Sequence, residues 1–453
     1  MKKTSYFIFV IFCLSNPYRL IAQQELDLQT CISMALKNNA ALQQSQLDLR
    51  RQEAMFIQSK QSLLPDLNAE INYSFYNGTI FDQSAARQVT QTSELSNPKA
   101  NSNFILFNGF KYLNRYHAQR LQKSSAVEAL KSTKEIVTIQ TIQNYYTMLE
   151  IAVKLQIAEE RFNLLKNQME LTKVEDSLGI SITRDIFLLD AQVAKEKSNL
   201  LLLKNEYRTG LNQFLHYLGV DDIDAFSLKT IELMHPQEDD PFLSLSAAEL
   251  MQYADNHPAV KKSQFDLSSA ELMHKANKYN FSPEISIFGE YGTNYSSNGA
   301  VNPENGLFLP NANYLTQLDF NQYKFLGFFM KIPLYTRGRN KLDKKLTEIS
   351  LEEQIITSRE QKRETIRQIN QSVTDFKFAY ENFKYNEDNF LAQQESKNVG
   401  QELYNYGKID FFKYRAILNE FHLAELNREI SRLRFYSSRE SLEILLRNIS
   451  VDN

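Results

Sequence analysis

The segment DLNAEINYSFYNG, Asp66–Gly78, sets Leu67, Ala69, Ile71, Tyr73 and Phe75 on alternate positions, with Asn68, Glu70, Asn72, Ser74 and Tyr76 between them. A period of two with one apolar and one polar face is the pattern of a β-strand. A length of about ten residues suits a tilted crossing of a bilayer. A second such segment stands far downstream: Ile285, Ile287, Gly289 and Tyr291 face one way, Glu284, Ser286 and Glu290 the other. Related sequence leads into both. KNNAALQQSQLDL (Lys37–Leu49) and DNHPAVKKSQFDL (Asp255–Leu267) open an ungapped match with ten identities in the 31 positions from Lys37 to Leu67. Chance gives about two. The chain is a duplication, so each copy must be read for what it builds.

Each strand runs into a stretch rich in Asn, Ser, Gly and Pro, read here as a loop: 77–102 in the first copy, 292–322 in the second. Returning strands follow at Asn103–Phe107 and Phe325–Leu334, where Leu326, Phe328, Met330 and Ile332 alternate with Gly327, Phe329 and Lys331. The 13 glycines and 10 prolines are unevenly spread, and none falls in Phe110–Leu178, Arg339–Val399 or Lys408–Asn453. Runs of that length predict helices of coiled-coil or bundle type. Ile142, Tyr145, Tyr146, Leu149, Ala152 and Val153 supply the apolar stripe. Gly179 and Gly407 fit left-handed helix ends at which the chain reverses into an antiparallel helix.

The expected organisation is a signal peptide at 1–22, a first repeat at 23–219, a connector at 220–243 and a second repeat at 244–453. Strands are expected at about 66–76 and 103–107, then at about 284–291 and 325–334, with helical hairpins turning near 179 and 407. The leader reading rests on MKK, the apolar Tyr6–Leu14 and Ala22 as a cleavage point. Its removal leaves 48 basic and 54 acidic residues and Cys31 as the one remaining cysteine, which excludes an intrachain disulfide. No basic stripe emerges, so nucleic acid is not an expected partner. The acids at 221–224 and 238–240 read as a solvated connector. The six histidines, His117, His216, His235, His257, His274 and His422, show no metal-ligand spacing, and no nucleophile signature appears. Neither an enzyme nor a bound cofactor is expected.

Four strands with a lipid-facing side cannot stop at open edges in hydrocarbon, where each unpaired backbone group costs several kcal/mol. Four strands also cannot close a barrel, so copies of the chain must pool them. Two copies give eight strands filled by side chains, and three give 12 with a lumen. The expected fold class is therefore an α+β membrane protein built from a duplicated helix, strand, strand, long helix, helix unit.

This pattern resembles the TolC-like outer-membrane efflux protein family over essentially the whole mature chain. The carrying residues are Ala35–Ala41, LLPDL at Leu63–Leu67 and IPLYTRGR at Ile332–Arg339. LGISITRD at Leu178–Asp185 and YNYGKID at Tyr404–Asp410 complete the set. The resemblance implies a homotrimer whose 12-stranded β-barrel in the cell outer membrane is continued by a long α-helical coiled-coil barrel through the periplasm. It implies an exit duct that works with a periplasmic adaptor (membrane fusion) protein and an inner-membrane pump, such as a resistance-nodulation-division or ABC transporter. Tip turns at Gly179, Ser181 and Gly407 would dock the adaptor. By the same resemblance, Asp185 and Tyr404 match a gate latch, although Asp185 also suits a helix N-terminus and Tyr404 a packed coiled-coil position. The family's Arg and acid positions near the second turn are here Ile409, Lys413 and Ala416, leaving Asp410 and Lys413 as candidate tip charges. The competing reading is a periplasmic coiled-coil adaptor, which accounts for the hairpins but not for the alternating strand pairs.

Overall fold

Each of the two longest breaker-free runs folds as one 67-residue α-helix in the computed structural model, which describes residues 24–178, 183–220, 226–229, 235–236 and 239–447. The first repeat contains β1 (Gln24–Leu26), α1 (Leu28–Asn38) and α2 (Ala40–Gln61). There follow β2 (Asn68–Glu70), β3 (Tyr73–Asp82), β4 (Arg87–Ser96) and β5 (Lys99–Phe107), then α3 (Lys111–Ser177) and α4 (Thr183–Tyr217). After β6 (Phe226–Leu228), the second repeat contains α5 (Ala247–Asn256), α6 (Pro258–Lys278) and β7 (Glu284–Gly292). Next come β8 (Tyr295–Ser296), β9 (Ala300–Val301), β10 (Phe308–Leu309), α7 (Tyr314–Phe320) and β11 (Tyr323–Lys331). The chain closes with α8 (Arg339–Asn405) and α9 (Phe411–Arg447). No described helix is long and apolar enough to cross a membrane.

Two compact units result. The helical unit comprises Met1–Ala40, Glu135–Ser244 and Gln371–Arg447. Its core gathers Leu26, Cys31, Tyr145, Tyr146, Leu215 and Leu218, all buried. The two tyrosines keep their polar ends satisfied, since Tyr145 donates to the Lys229 carbonyl at 3.2 Å and Tyr146 to Glu440 Oε1 at 2.9 Å. Burial pushes the Cys31 thiol up to about 12, so it packs as an inert small apolar group. β1 pairs in parallel with β6, tying the connector to the start of the described chain. Asp240 departs from the solvated-connector expectation. It is buried, its Oδ2 accepts from Arg439 Nε at 2.6 Å, and its Oδ1 caps the Phe242 amide at 3.0 Å. That partner lies 199 residues away in sequence, where no local pattern points to it. The acids 221–224 and Glu238 lie outside the described residues.

The strand-bearing unit comprises Ala41–Lys134 and Leu245–Asn370 with Asn448–Asn453. Its principal sheet is antiparallel, in the order β11-β7-β5-β2, so the two repeats join through the β5·β7 pair. The register runs from Lys99↔Gly292 to Phe104↔Ile287, with an irregularity between Ile105 and Phe107. Because partners opposite one another share a face, Phe104, Ile287 and Phe328 lie on one side, with Leu326 and Met330. Glu290, Asn101, Asn103 and Ser286 lie on the other. The apolar side is open, Leu326 being 74% and Phe328 72% exposed. The strand ends differ from the sequence reading. The first strand is interrupted between β2 and β3, the returning strand begins at Lys99, and β11 stops at Lys331, two residues before Pro333, which has no amide to give a ladder.

The first expected loop, 77–102, is mostly β-hairpin. β3 and β4 pair from Tyr73↔Ser96 to Asp82↔Arg87, and Thr79 and Thr90 hydroxyls meet at 2.9 Å. The second, 292–322, carries β8, β9, β10 and α7, whose N-cap Asn313 accepts from the Thr316 amide at 2.8 Å. Polar composition hid both, because backbone pairing alone can hold a strand ladder without apolar alternation along it.

The entries to α3 and α8 repeat one device, two consecutive left-handed residues: Gly109 (φ +66°) with Phe110 (φ +60°), and Arg337 (φ +54°) with Gly338 (φ +77°). Only the first is crowded. A Cβ on Gly109 would stand 2.6 Å from Ser282 Cβ, whereas one on Gly338 meets nothing within 4 Å. Gly338→Ala is expected to cost about 1–2 kcal/mol from backbone strain alone. Gly109→Ala is expected to cost about 2–4 kcal/mol, with overpacking added. Thermal unfolding in detergent should place the Gly109 variant clearly below the Gly338 variant.

Candidate functional site: the second helical hairpin turn

The chain reverses between α8 and α9 by a paired-bond helix terminus. The Gly407 amide donates to the Tyr404 carbonyl at 2.9 Å and the Lys408 amide to the Leu403 carbonyl at 2.8 Å. Gly407 has φ +70°, with open space where a Cβ would be, so it is required by conformation and not by crowding. Asp410 then starts α9: its Oδ1 accepts from the Lys413 amide at 2.8 Å and its carbonyl from the Tyr414 amide at 3.1 Å. One oxygen of this candidate tip charge is thus engaged as a helix cap, where a negative group also suits the helix dipole. The Lys413 side chain is exposed.

Tyr404 is half-buried against its own hairpin. Its ring stacks on Tyr414 with centroids 5.0 Å apart and planes 7° from parallel, and meets Phe411 at 6.3 Å. Burial, assisted by Tyr404, raises the Tyr414 hydroxyl above its usual value. Deeper in the hairpin, Phe390, Phe421 and Ala424 form a small core. Arg428 lies 3.8 Å over the Phe390 ring and Lys397 lies 4.1 Å over the Phe421 ring. Sequence reasoning missed these cations and also Arg415, half-buried near the turn with Nε and Nη1 unpartnered and its pKa lowered by burial. The signal lay in basic residues placed amid apolar helical positions.

Of the first-turn residues, Gly179 and Ser181 lie outside the described residues. Asp185 falls in the first turn of α4, and its side chain is likewise outside the description. A pairing of Asp185 with Tyr404 is therefore not among the described contacts. Among the described residues no group of three or more His, Cys, Asp or Glu is placed to hold a metal ion.

No protein-family model matches the chain. The Cation efflux system protein CusC of Escherichia coli O157:H7 is 22% identical over 340 residues, 73% of this chain. The matched stretch is 66% of that protein, just under two thirds of its length. Among solved structures, the CmeC outer membrane channel of Campylobacter jejuni superposes with TM-score 0.78 at 14% identity, covering 93% of this chain and 85% of that one. A membrane protein from Pseudomonas aeruginosa gives TM-score 0.76 at 15% identity, covering 94% and 92%. A structure of CusC gives 0.72 at 17% identity, covering 91% and 92%. Likeness at these identities establishes a shared fold.

Proposed function

We propose that the chain, which shares its fold with the CusC and CmeC channels and is 22% identical to CusC over the matched stretch, is a TolC-like outer-membrane efflux protein, the outer-membrane exit duct of a tripartite efflux or secretion system. Three copies pool their principal sheets into a 12-stranded barrel in the outer membrane, and the helical unit supplies duct wall in the periplasm. An adaptor docks at the turns near Gly179, Ser181 and Gly407, and an inner-membrane pump of the resistance-nodulation-division or ABC class selects the substrate. A cation is one substrate class, by analogy with the name of the CusC relative.

The observation that carries this reading is the β11-β7-β5-β2 sheet, assembled from both repeats with two open edges and one exposed apolar face. In hydrocarbon such edges demand neighbours, and a closed barrel supplies them. The purified full-length protein should run as a trimer before heating and conduct ions in planar bilayers. A monomer that salt alone strips from membranes would overturn the reading.

Asp185 and Tyr404 latch the closed end of the duct. Because the Tyr404 ring already packs on Tyr414, Tyr404→Phe removes only the hydroxyl and leaves the stack. Combined with Asp185→Asn, it should raise closed-state conductance severalfold. Conductance equal to the parent protein's would rule the latch out.

A further inference from the structure

The polar face of the principal sheet is not uniformly polar. In the β11·β7 register Phe325 stands opposite Glu290, Gly327 opposite Phe288 and Phe329 opposite Ser286, so the three phenylalanines share the face of the charged residues. Their rings form one cluster, with centroid separations of 6.1 Å (Phe288 to Phe325), 6.0 Å (Phe288 to Phe329) and 6.4 Å (Phe325 to Phe329). Gly327 makes the cluster possible. A Cβ there would stand 3.0 Å from the Phe325 ring and 3.2 Å from the Phe329 ring, so both rings fold into the space it leaves. The cluster is open, Phe325 being 47% and Phe329 49% exposed.

Its immediate surroundings carry charge. Lys99 Nζ lies 3.5 Å from Glu70 Oε2 and 3.4 Å from Glu290 Oε2, and Tyr323 donates to Glu290 Oε1 at 2.7 Å. Glu290, opposite Phe325 in register, shares Lys99 with Glu70, so two carboxylates face one ammonium at this end of the cluster; at the other end Lys331, two residues from Phe329, stands opposite Glu284. Aromatic faces are themselves negative, so rings and surplus carboxylate select the same sign of ligand. A solute with a flat apolar part and a positive charge satisfies both, whereas a simple inorganic cation gains little from the rings and an organic anion is repelled.

We propose that Phe288, Phe325 and Phe329 form a binding patch on the inner wall of the barrel for amphipathic organic cations. The proposal rests on the exit-duct reading, which makes the charged face the inner one, and it deepens that reading by naming a solute class the wall holds in transit. In a trimer three such patches stand at one level of the lumen.

The test is single-channel recording of the full-length trimer in planar bilayers, with tetraphenylphosphonium added on the outer side. The expected result is resolvable current blocks whose frequency rises with concentration. Tetraethylammonium, which lacks rings, and tetraphenylborate, which has the same shape and opposite charge, should block about tenfold more briefly or not at all. Phe325→Ser with Phe329→Ser should shorten the tetraphenylphosphonium dwell time about tenfold while the unblocked conductance persists. Phe325→Leu with Phe329→Leu, which keeps the bulk, guards against misfolding and should shorten it to a lesser degree. Unchanged dwell times in both double variants, or equal block by tetraphenylborate, would overturn the patch. Absence of any current from the parent protein would instead sink the exit-duct reading, and the patch with it.

Discussion

Ile287→Lys should prevent the chain from forming a membrane-embedded oligomer, while Ser286→Lys, one residue earlier, should leave assembly intact. Ile287 lies mid-strand in β7, flanked in register by Phe104 on β5 and Phe328 on β11. On the exit-duct reading, that row faces lipid in the barrel. A lysine there costs about 2–4 kcal/mol per chain near the bilayer midplane, and a trimer carries the cost three times. Ser286 pairs with Ile105 and Phe329 on the opposite side, which the same reading turns to a water-filled lumen where an ammonium stays hydrated. Comparing the unheated trimer band and alkaline-resistant membrane retention of the two variants decides the matter. Equal behaviour would mean that the two faces do not see different solvents, and the barrel would be wrong. A strand turns its side chains over at every residue, so a loss of membrane retention at Ile287 beside retention at Ser286 is what one face in lipid and the other in water predicts.

The same alternation explains which parts of the fold could be read from sequence. Ile285 and Ile287, like Leu326 and Phe328, recur with period two because they share one continuous apolar face of the sheet, the face that the exit-duct reading turns to lipid. The β3 and β4 strands extend beyond that face. Residues such as Thr79, Thr90, Gln91 and Ser93 satisfy a ladder equally well without apolar alternation, so the stretch reads as loop although it is hairpin. At the candidate site, residue types were legible and contacts were not. Nothing in YNYGKIDFFKYR indicates that Tyr404 stacks on Tyr414 or that Asp410 gives an oxygen to the Lys413 amide. The Asp240 to Arg439 pair and the Phe288 cluster were hidden for a related reason: each joins segments whose approach is fixed by the fold alone. Gly327 is the instructive case. Its sequence reads as a gap in an alternating strand, and its use, as space for two neighbouring rings, exists only once β11 is laid beside β7.

Asp82→Ala should release the outer segments of the two repeats from each other while leaving the membrane sheet assembled. Asp82 sits at the tip of the β3–β4 hairpin and is 2% exposed. Its Oδ1 accepts from the Ala85 amide at 3.0 Å, and its Oδ2 accepts from Asn298 Nδ2 at 2.7 Å and from the Ser296 hydroxyl. Asn298 Nδ2 also donates to the Ser93 hydroxyl at 2.7 Å, and the Ser296 amide donates to Gln317 Oε1 at 3.0 Å. Gln317 in turn donates to the carbonyls of Ser296 and Ala312, both at 2.9 Å. One buried carboxylate thus accepts from three donors, two of them on the second repeat more than 200 residues away. Alanine removes the acceptor and strands those donors in a dry site, at about 1–3 kcal/mol each less whatever water enters. A loss of about 3–5 kcal/mol is expected for this local structure, enough to open it without touching the β5·β7 ladder. Protease added from outside to protein in vesicles should then cut within 293–322 far faster than in the parent, with the trimer band retained. Asp82→Asn is the sharper variant, because it keeps the volume and turns one acceptor into a donor facing Asn298. Digestion at the parent rate in both variants would show that the two segments are held by their backbone pairings, Leu95↔Ser296 and Ser96↔Tyr295, and not by the carboxylate.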